Sequence, residues 1–148
     1  MITKSLPKLI DILLVEDNPA DVLLTREALT ANKLVHAIHV VEDGIQALDF
    51  LYKRGKYASA RRPNLILLDL NLPRKNGREV LAEIKADTNL RPIPVVVLTT
   101  SNDDEDIRKA YHLNANCYIV KPVGFENFMK VMQSLRQFWF SVVALPPE

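Results

Sequence analysis

Acidic residues stand directly after two apolar segments of the chain, where they are placed to do chemistry. Glu16 and Asp17 follow the first segment, and Asp69 follows Leu65–Leu68. Carboxylates that are held close together repel one another and raise their own pKa values unless a cation intervenes. Mg²⁺ takes oxygen ligands, usually one or two protein carboxylates with water and phosphate oxygens. We therefore expect an Mg²⁺ or Mn²⁺ site with Asp17 and Asp69 as direct ligands, Glu16 bound through water, and the backbone carbonyl of Asn71 as a further ligand.

Asp69 is also a candidate nucleophile. An ionised aspartate can attack phosphorus and hold the phosphoryl group as a mixed anhydride, and a neighbouring metal offsets the charge of that group. Thr99 and Lys121 end two further apolar segments. A threonine hydroxyl can donate a hydrogen bond to a phosphoryl oxygen, and lysine supplies a compact positive charge. The sequence thus predicts Asp69 as the phosphoacceptor, with Thr99 and Lys121 binding the transferred group.

Each of these features has an ordinary structural explanation when it is taken alone. An aspartate after an apolar strand usually just ends the strand, and a Glu-Asp pair usually marks the entry to a helix. Lys-Pro is usually a solvated turn, and Thr-Thr-Ser is usually a helix cap. Their combination indicates a shared site, because polar residues at the ends of four apolar strands, in the right order, would be an odd accident.

The elements that must position these residues alternate between strand and helix. Apolar segments that end in polar residues or turns predict five strands, over Leu9–Val15, Val35–Val41, Leu65–Asp69, Val95–Leu98 and Asn116–Val120. Short connections favour right-handed crossovers and a parallel sheet with helices on both faces. The predicted fold class is α/β, a doubly wound, flavodoxin-like sheet with strand order 2-1-3-4-5, in which the first and third strands are neighbours. The interrupted second strand suits an edge position.

Helix signals follow each strand. Asn18-Pro19 caps the first predicted helix, which runs to about Asn32, and the last opens after Gly124. Three-and-four spacing predicts a core stripe along the last helix, at Phe125, Phe128, Met132, Leu135, Trp139 and Val142. Phe138 and Phe140 widen this stripe and predict a contact surface. The basic segment Lys53–Arg62 is interpreted as a solvated loop.

Composition describes an ordinary single domain. The 148 residues are 48% hydrophobic and 25% charged, and 19 basic against 18 acidic residues leave a net charge of +1. No overall field recruits nucleic acid or an anionic membrane. The single cysteine and the lack of a signal peptide or membrane-length segment favour a cytoplasmic protein. We expect an N-terminal arm over 1–8, one domain over 9–140 and a C-terminal tail over 141–148.

Four motifs resemble response-regulator receiver domains of two-component signalling: VEDN at 15–18, LLDLNLP at 67–73, LTTS at 98–101 and YIVKP at 118–122. The resemblance implies the site already described, with Thr99 as the switch hydroxyl. It adds Tyr118 as an aromatic rotamer switch, and Asn71 and Ser101 as the positions that tune dephosphorylation. It also implies a protein that catalyses its own phosphorylation from phosphohistidine and its own dephosphorylation, and that signals by protein contact.

The basic loop and the aromatic tail are similar to those of small single-domain regulators of bacterial, especially cyanobacterial, phytochromes. That similarity implies a phytochrome-like sensor histidine kinase as partner and a homodimer, with Phe138, Trp139 and Phe140 as interface candidates. The main alternative is a receiver-like binding module that works without phosphorylation. An FMN carrier is disfavoured, because the strand ends lack a phosphate loop rich in glycine and serine. A haloacid-dehalogenase-type phosphatase is also disfavoured, because it would need an acid at position 71, where this chain has Asn71.

Overall fold

A five-stranded parallel sheet is the centre of the computed structural model, which describes residues 10–31, 35–100 and 117–134. Its strands are β1 (Ile10–Val15), β2 (Val35–Val41), β3 (Leu65–Asp69), β4 (Val95–Thr99) and β5 (Cys117–Val120). They pair in the order β2-β1-β3-β4-β5, and every pair is parallel. The predicted fold class and strand order are confirmed.

Burial along the strands follows their positions in the sheet. All residues of β3 and β4 are buried, which explains why both strands are continuous apolar runs rather than alternating ones. The strand β2 lies at the edge and carries exposed residues, including Ala37 and His39. The predicted edge position of this strand is confirmed.

Four described helices cover both faces of the sheet: α1 (Pro19–Thr30), α2 (Gly44–Leu51), α3 (Gly77–Ala86) and α4 (Phe125–Ser134). One core cluster lies under α2 and α3 and includes Leu48 and Leu81. The other lies under α1 and α4 and includes Leu29 and Phe128. Within the described part of the chain, no helix is both long and apolar enough to span a membrane.

Side-chain caps fix where three of these helices begin. The Asn18 side chain accepts hydrogen bonds from the backbone N–H groups of Ala20 and Asp21, and Pro19 occupies the first turn, as the sequence predicted. Asp43 caps α2, and Asn76 forms a reciprocal capping box at the start of α3. These caps satisfy backbone donors that the first helical turn leaves without partners. The chain therefore enters a helix shortly after the first and second strands, whereas the third helix begins after a longer loop, residues 70–76.

The apolar stripe predicted for the last helix is wrong at its first member. Phe125 is 45% exposed, whereas Phe128 is fully buried and Met132 is also buried. A first-turn residue has helical neighbours on one side only, so periodicity alone overestimates its burial. Several other predictions lie outside the described residues: the arm 1–8, Ser101, the fourth predicted helix, the tail 141–148, and the aromatic and apolar positions Leu135, Phe138, Trp139, Phe140 and Val142.

The basic segment Lys53–Arg62 is solvated only in part. Tyr57 is half-buried, and its ring packs edge-on against Phe50 at a centroid distance of 5.3 Å. His39 of the edge strand lies 4.6 Å from the Phe50 ring. The lysine and arginine side chains of the segment are exposed, while Tyr57 and Ala60 pack against the core cluster under α2 and α3. Tyr57 therefore attaches this loop to the domain, and the charge of the segment gave no indication of it.

Candidate functional site

Three carboxylates meet at the carboxyl edge of the sheet. Val15 of β1 pairs with Leu68 of β3, so the residues that follow these two, Glu16 and Asp69, leave neighbouring strands at the same level. One oxygen from each of Glu16, Asp17 and Asp69 lies within 4.8 Å of the others. The structure therefore brings together the three acids that the sequence singled out, at the switch point between β1 and β3.

The three acids differ in their exposure. Glu16 is fully buried and Asp69 is 4% exposed, whereas the Asp17 side chain is open to solvent. Burial raises the pKa of Glu16 to about 7; the negative charge of Asp69 adds to this effect, and Lys121 opposes it. The effect of burial on Glu16 is therefore larger than that of the neighbouring Lys121 ammonium, so the carboxyl group is not fully ionised at neutral pH.

Lys121 supplies a buried ammonium group between these acids. Its Nζ donates hydrogen bonds to Oδ2 of Asp69 at 2.9 Å and to Oδ2 of Asp21 at 3.1 Å, and it forms an ion pair with Oε1 of Glu16 at 2.8 Å. Burial alone would lower the pKa of Lys121, but its interactions with Glu16, Asp69 and Asp21 outweigh this effect and raise the pKa above its ordinary value. The side chain thus remains a cation beside Asp69 over the physiological range of pH.

Both carboxylate oxygens of Asp69 have partners, which fixes the orientation of the group. Oδ1 accepts a hydrogen bond from the backbone N–H of Asn71 at 2.9 Å, and Oδ2 accepts the one from Lys121. The Asn71 side chain is exposed, and its backbone leaves the sheet directly after the nucleophile candidate. A fixed carboxylate beside a cation is a suitable starting geometry for an attack on phosphorus.

The loop between β3 and α3, residues 70–76, is held closely at both of its sides. A Cβ atom on Gly77 would overlap the Asp69 carbonyl oxygen, and a Cβ atom on Gly44 would overlap the Lys75 carbonyl oxygen. Arg74 adopts a left-handed backbone with φ of 67° and forms an ion pair with the buried carboxylate of Asp43 at 3.3 Å. The two glycines allow the starts of α2 and α3 to approach the backbone that carries the site.

Thr99 and Lys121 are joined by the ladder between β4 and β5. The backbone N–H of Lys121 donates to the Thr99 carbonyl at 2.7 Å, and Thr99 pairs with Val120. Thr99 is buried at the end of its strand. Tyr118 is half-buried on β5, beside Val97, and packs against the core cluster under α2 and α3. The predicted switch pair thus occupies adjacent strands, with Thr99 at the site edge.

Asp21 was missed by the sequence interpretation, although it contacts the central cation directly. It lies in the first turn of α1, four residues after Asp17. Acidic residues are common in a first helical turn because they interact favourably with the helix dipole, so the residue type alone gave no signal. The Asn18-Pro19 cap could have indicated this contact, because it fixes the start of the helix and hence the direction of the Asp21 side chain.

The donor set fits a hard divalent cation. The cluster offers only carboxylate oxygens, the ligand type that Mg²⁺ and Mn²⁺ prefer. The Lys121 ammonium, 2.8 Å from Oε1 of Glu16 and 2.9 Å from Oδ2 of Asp69, already provides positive charge to two of these carboxylates. The acidic cluster therefore has the chemistry of a divalent metal site.

Comparison with known proteins identifies the family to which this chain belongs. Response regulator Rcp1 of Synechocystis sp. is 48% identical over 135 residues, which cover 91% of this chain and 92% of that protein. The structure of the Mn²⁺-bound form of Rcp1 superposes with a TM-score of 0.75 at 47% identity, covering 93% of this chain and 99% of its own. The phosphorylated cyanobacterial phytochrome response regulator RcpA gives a TM-score of 0.77 at 48% identity, with coverages of 94% and 99%. Residues 12–133 match the family described as the response regulator receiver domain. By sequence, strand order and the acids at its sheet edge, this chain belongs to the response regulator receiver domain family.

Proposed function

We propose that this protein is a single-domain response regulator that accepts a phosphoryl group on Asp69. The observation that carries this proposal is the setting of Asp69, which is buried at the sheet edge, oriented through both oxygens, and placed between an acidic cluster and the Lys121 ammonium at 2.9 Å. Receiver membership supports it, and so do the phytochrome regulators among the similar proteins.

In the proposed reaction, a carboxylate oxygen of Asp69 attacks the phosphorus atom of a phosphohistidine. A P–O bond forms while the P–N bond breaks, and the bonding electron pair leaves with the imidazole nitrogen, which is then protonated. Lys121 pairs with an oxygen of the transferred group, and the Thr99 hydroxyl donates to another. This divides the new negative charge between two donors that already lie at the same edge.

Asp17 and Asp69 would hold Mg²⁺ or Mn²⁺ directly, with Glu16 bound through water and the backbone carbonyl of Asn71 completing the protein's contribution. The ion, when bound, neutralises charge on the phosphoryl oxygens. The mixture of exposed Asp17 and buried Glu16 supports this division of roles, because the exposed carboxylate can approach an ion that enters from solvent.

Thr99 and Tyr118 form the proposed conformational switch. Movement of the Thr99 hydroxyl toward the phosphoryl group would open space that the Tyr118 ring can enter by rotation. The half-buried state of Tyr118 and its packing against the core cluster under α2 and α3 support this role. Asn71, together with Ser101, is proposed to tune the rate of dephosphorylation.

The proposed phosphodonor is a phytochrome-like sensor histidine kinase. This assignment is supported by similarity to RcpA, which is described as a cyanobacterial phytochrome response regulator. We also propose signalling through protein contacts and a homodimer. Its interface candidates, Phe138, Trp139 and Phe140, remain a prediction from the sequence.

The phosphoacceptor is tested by incubating the purified protein with acetyl phosphate and Mg²⁺. We expect an adduct that is stable in acid and labile in base, as an acyl phosphate is, and we expect Asp69→Asn to abolish it. Asp49→Asn is the matched control, because Asp49 is an aspartate on α2 that forms an ion pair with Arg54 and not with a site residue. An adduct of undiminished yield on Asp69→Asn would show that the nucleophile is a different residue.

A further inference from the structure

Lys121 is shared between carboxylates that have different roles. Glu16 and Asp69 belong to the cluster of potential metal ligands, whereas Asp21 does not. All three contact the same ammonium nitrogen, Asp21 at 3.1 Å. They come from three elements: the end of β1, the end of β3 and the first turn of α1. One cation therefore links the metal cluster to an acid outside it.

The ammonium divides its contacts between the metal cluster and α1. Nζ lies 2.8 Å from Oε1 of Glu16 and 2.9 Å from Oδ2 of Asp69, and it donates to Oδ2 of Asp21 at 3.1 Å. An ammonium has three N–H donors and no acceptor. The Asp21 carboxylate thus draws one donor toward α1 and away from the two carboxylates of the cluster.

We propose that Asp21 is a positioning residue that holds the Lys121 ammonium so that Glu16 and Asp69 remain available to a divalent cation. This inference rests on the proposed function of the site. Without Asp21, Glu16 and Asp69 alone would hold the ammonium, and the lysine would compete more strongly with the metal for these two ligands. Asp21 itself needs no contact with the metal or with the phosphoryl group.

The test measures Mn²⁺ binding in the absence of any phosphodonor, by the electron paramagnetic resonance signal of free Mn²⁺. We expect Asp21→Ala to raise the dissociation constant about 3- to 10-fold, a modest effect because the Asp21 side chain is 27% exposed and solvent weakens its ion pair. Asp21→Asn keeps an oxygen that can accept from Lys121, so we expect it to restore a large part of the affinity.

Two controls separate positioning from a general effect of charge. Glu27→Ala removes an exposed acid from the same helix and should leave the dissociation constant within a factor of about two. In a Lys121→Met background, Asp21→Ala should lose most of its effect, because the group that it positions is absent. Thermal unfolding of each variant checks that the fold is intact.

Equal losses of affinity in Asp21→Ala and Asp21→Asn would overturn the proposal, because a charge effect does not distinguish the two variants. An undiminished effect in the Lys121→Met background would also overturn it. Phosphorylation of Asp69 is measured separately. If acetyl phosphate fails to modify the wild-type protein, the proposed function fails, while the Mn²⁺ titrations still decide the role of Asp21.

Discussion

At Glu16, burial and function make opposite demands on one carboxyl group. The side chain is fully buried, and its pKa is raised to about 7, chiefly by that burial. In the proposed metal site the same group must be ionised, and burial opposes that ionisation even though the Lys121 ammonium lies 2.8 Å away. A carboxyl group whose ionisation is opposed by its surroundings is typical of functional sites rather than of cores.

This conflict predicts how stability depends on pH in the metal-free protein. The folded-state pKa of Glu16 lies above its ordinary value of 4.5, so the folded protein binds more protons than the unfolded chain between pH 4.5 and about 7. The free energy of unfolding should therefore fall as pH rises through this window, by about 1 to 3 kcal/mol. We expect Glu16→Gln, which cannot ionise, to show a smaller fall, as measured by urea unfolding in EDTA between pH 5 and 8.

Parallel curves for the wild-type protein and Glu16→Gln would contradict this explanation. Added Mn²⁺ provides an internal control, because a bound cation favours the ionised carboxylate and should reduce the fall in the wild-type protein.

Some site residues could be predicted from the sequence and others could not. Asp69 could be located because an apolar run ended in it, but the contact of Asp21 with Lys121 joins residues 100 positions apart.

At the scale of elements, the helix starts and the loops after the strands determine where the site residues lie, as much as the side chains do. The strands were predictable because buried parallel strands are continuous apolar runs, and Pro19 with Asn18 marked the first helix start. The close approach of Gly77 to the Asp69 backbone was not predictable. It depends on how α3 packs against the end of β3, and a glycine in an Asn-Gly pair reads locally as turn chemistry.

Gly77→Ala tests this packing. Its Cβ atom would overlap the Asp69 carbonyl and the Leu70 backbone, neither of which can rotate away as a side chain would. We expect the free energy of unfolding to fall by about 2 to 3 kcal/mol, as for other overpacked sites, and Mn²⁺ affinity to fall with it. Gly124→Ala is the matched control, because no atom lies within 4 Å of the added Cβ, and its effect should be below about 1 kcal/mol. Equal effects of the two substitutions in urea unfolding would refute the interpretation.

At the scale of the whole molecule, one sheet separates two cores, and the site residues except Asp21 lie at the carboxyl ends of its strands. One core lies under α1 and α4, and the other lies under α2 and α3. Continuous apolar runs identified the buried strands β3 and β4, which contribute to both cores. Helix periodicity was less accurate and failed at Phe125, where the helix begins, because burial at an element's end depends on the neighbouring elements and not on the repeat.

The pair Phe128 and Phe125 makes this difference measurable. Phe128 is fully buried in the core under α1 and α4, so Phe128→Ala should lower the free energy of unfolding by about 3 to 5 kcal/mol. Phe125, one turn earlier on the same helix, is 45% exposed, and Phe125→Ala should change it by less than about 1 kcal/mol. Urea denaturation of both variants is sufficient, and a larger loss for Phe125→Ala would place the helix in a different rotation about its axis.

The interlocked loop at 70–76 has a consequence for how this chain can change its length over evolution. Its backbone is bonded at both ends, by the Asn71 N–H to Asp69 and by the Gly77 N–H to the Leu70 carbonyl, and Lys75 lies directly against Gly44. An inserted residue there would break these contacts and displace Asp69, the proposed phosphoacceptor. The segment 58–62 is held less closely, since most of its residues are exposed and only Ala60 packs against the core cluster under α2 and α3. Lineages of this protein are therefore expected to gain and lose residues beside the edge strand, and to keep the length of the loop after Asp69 constant.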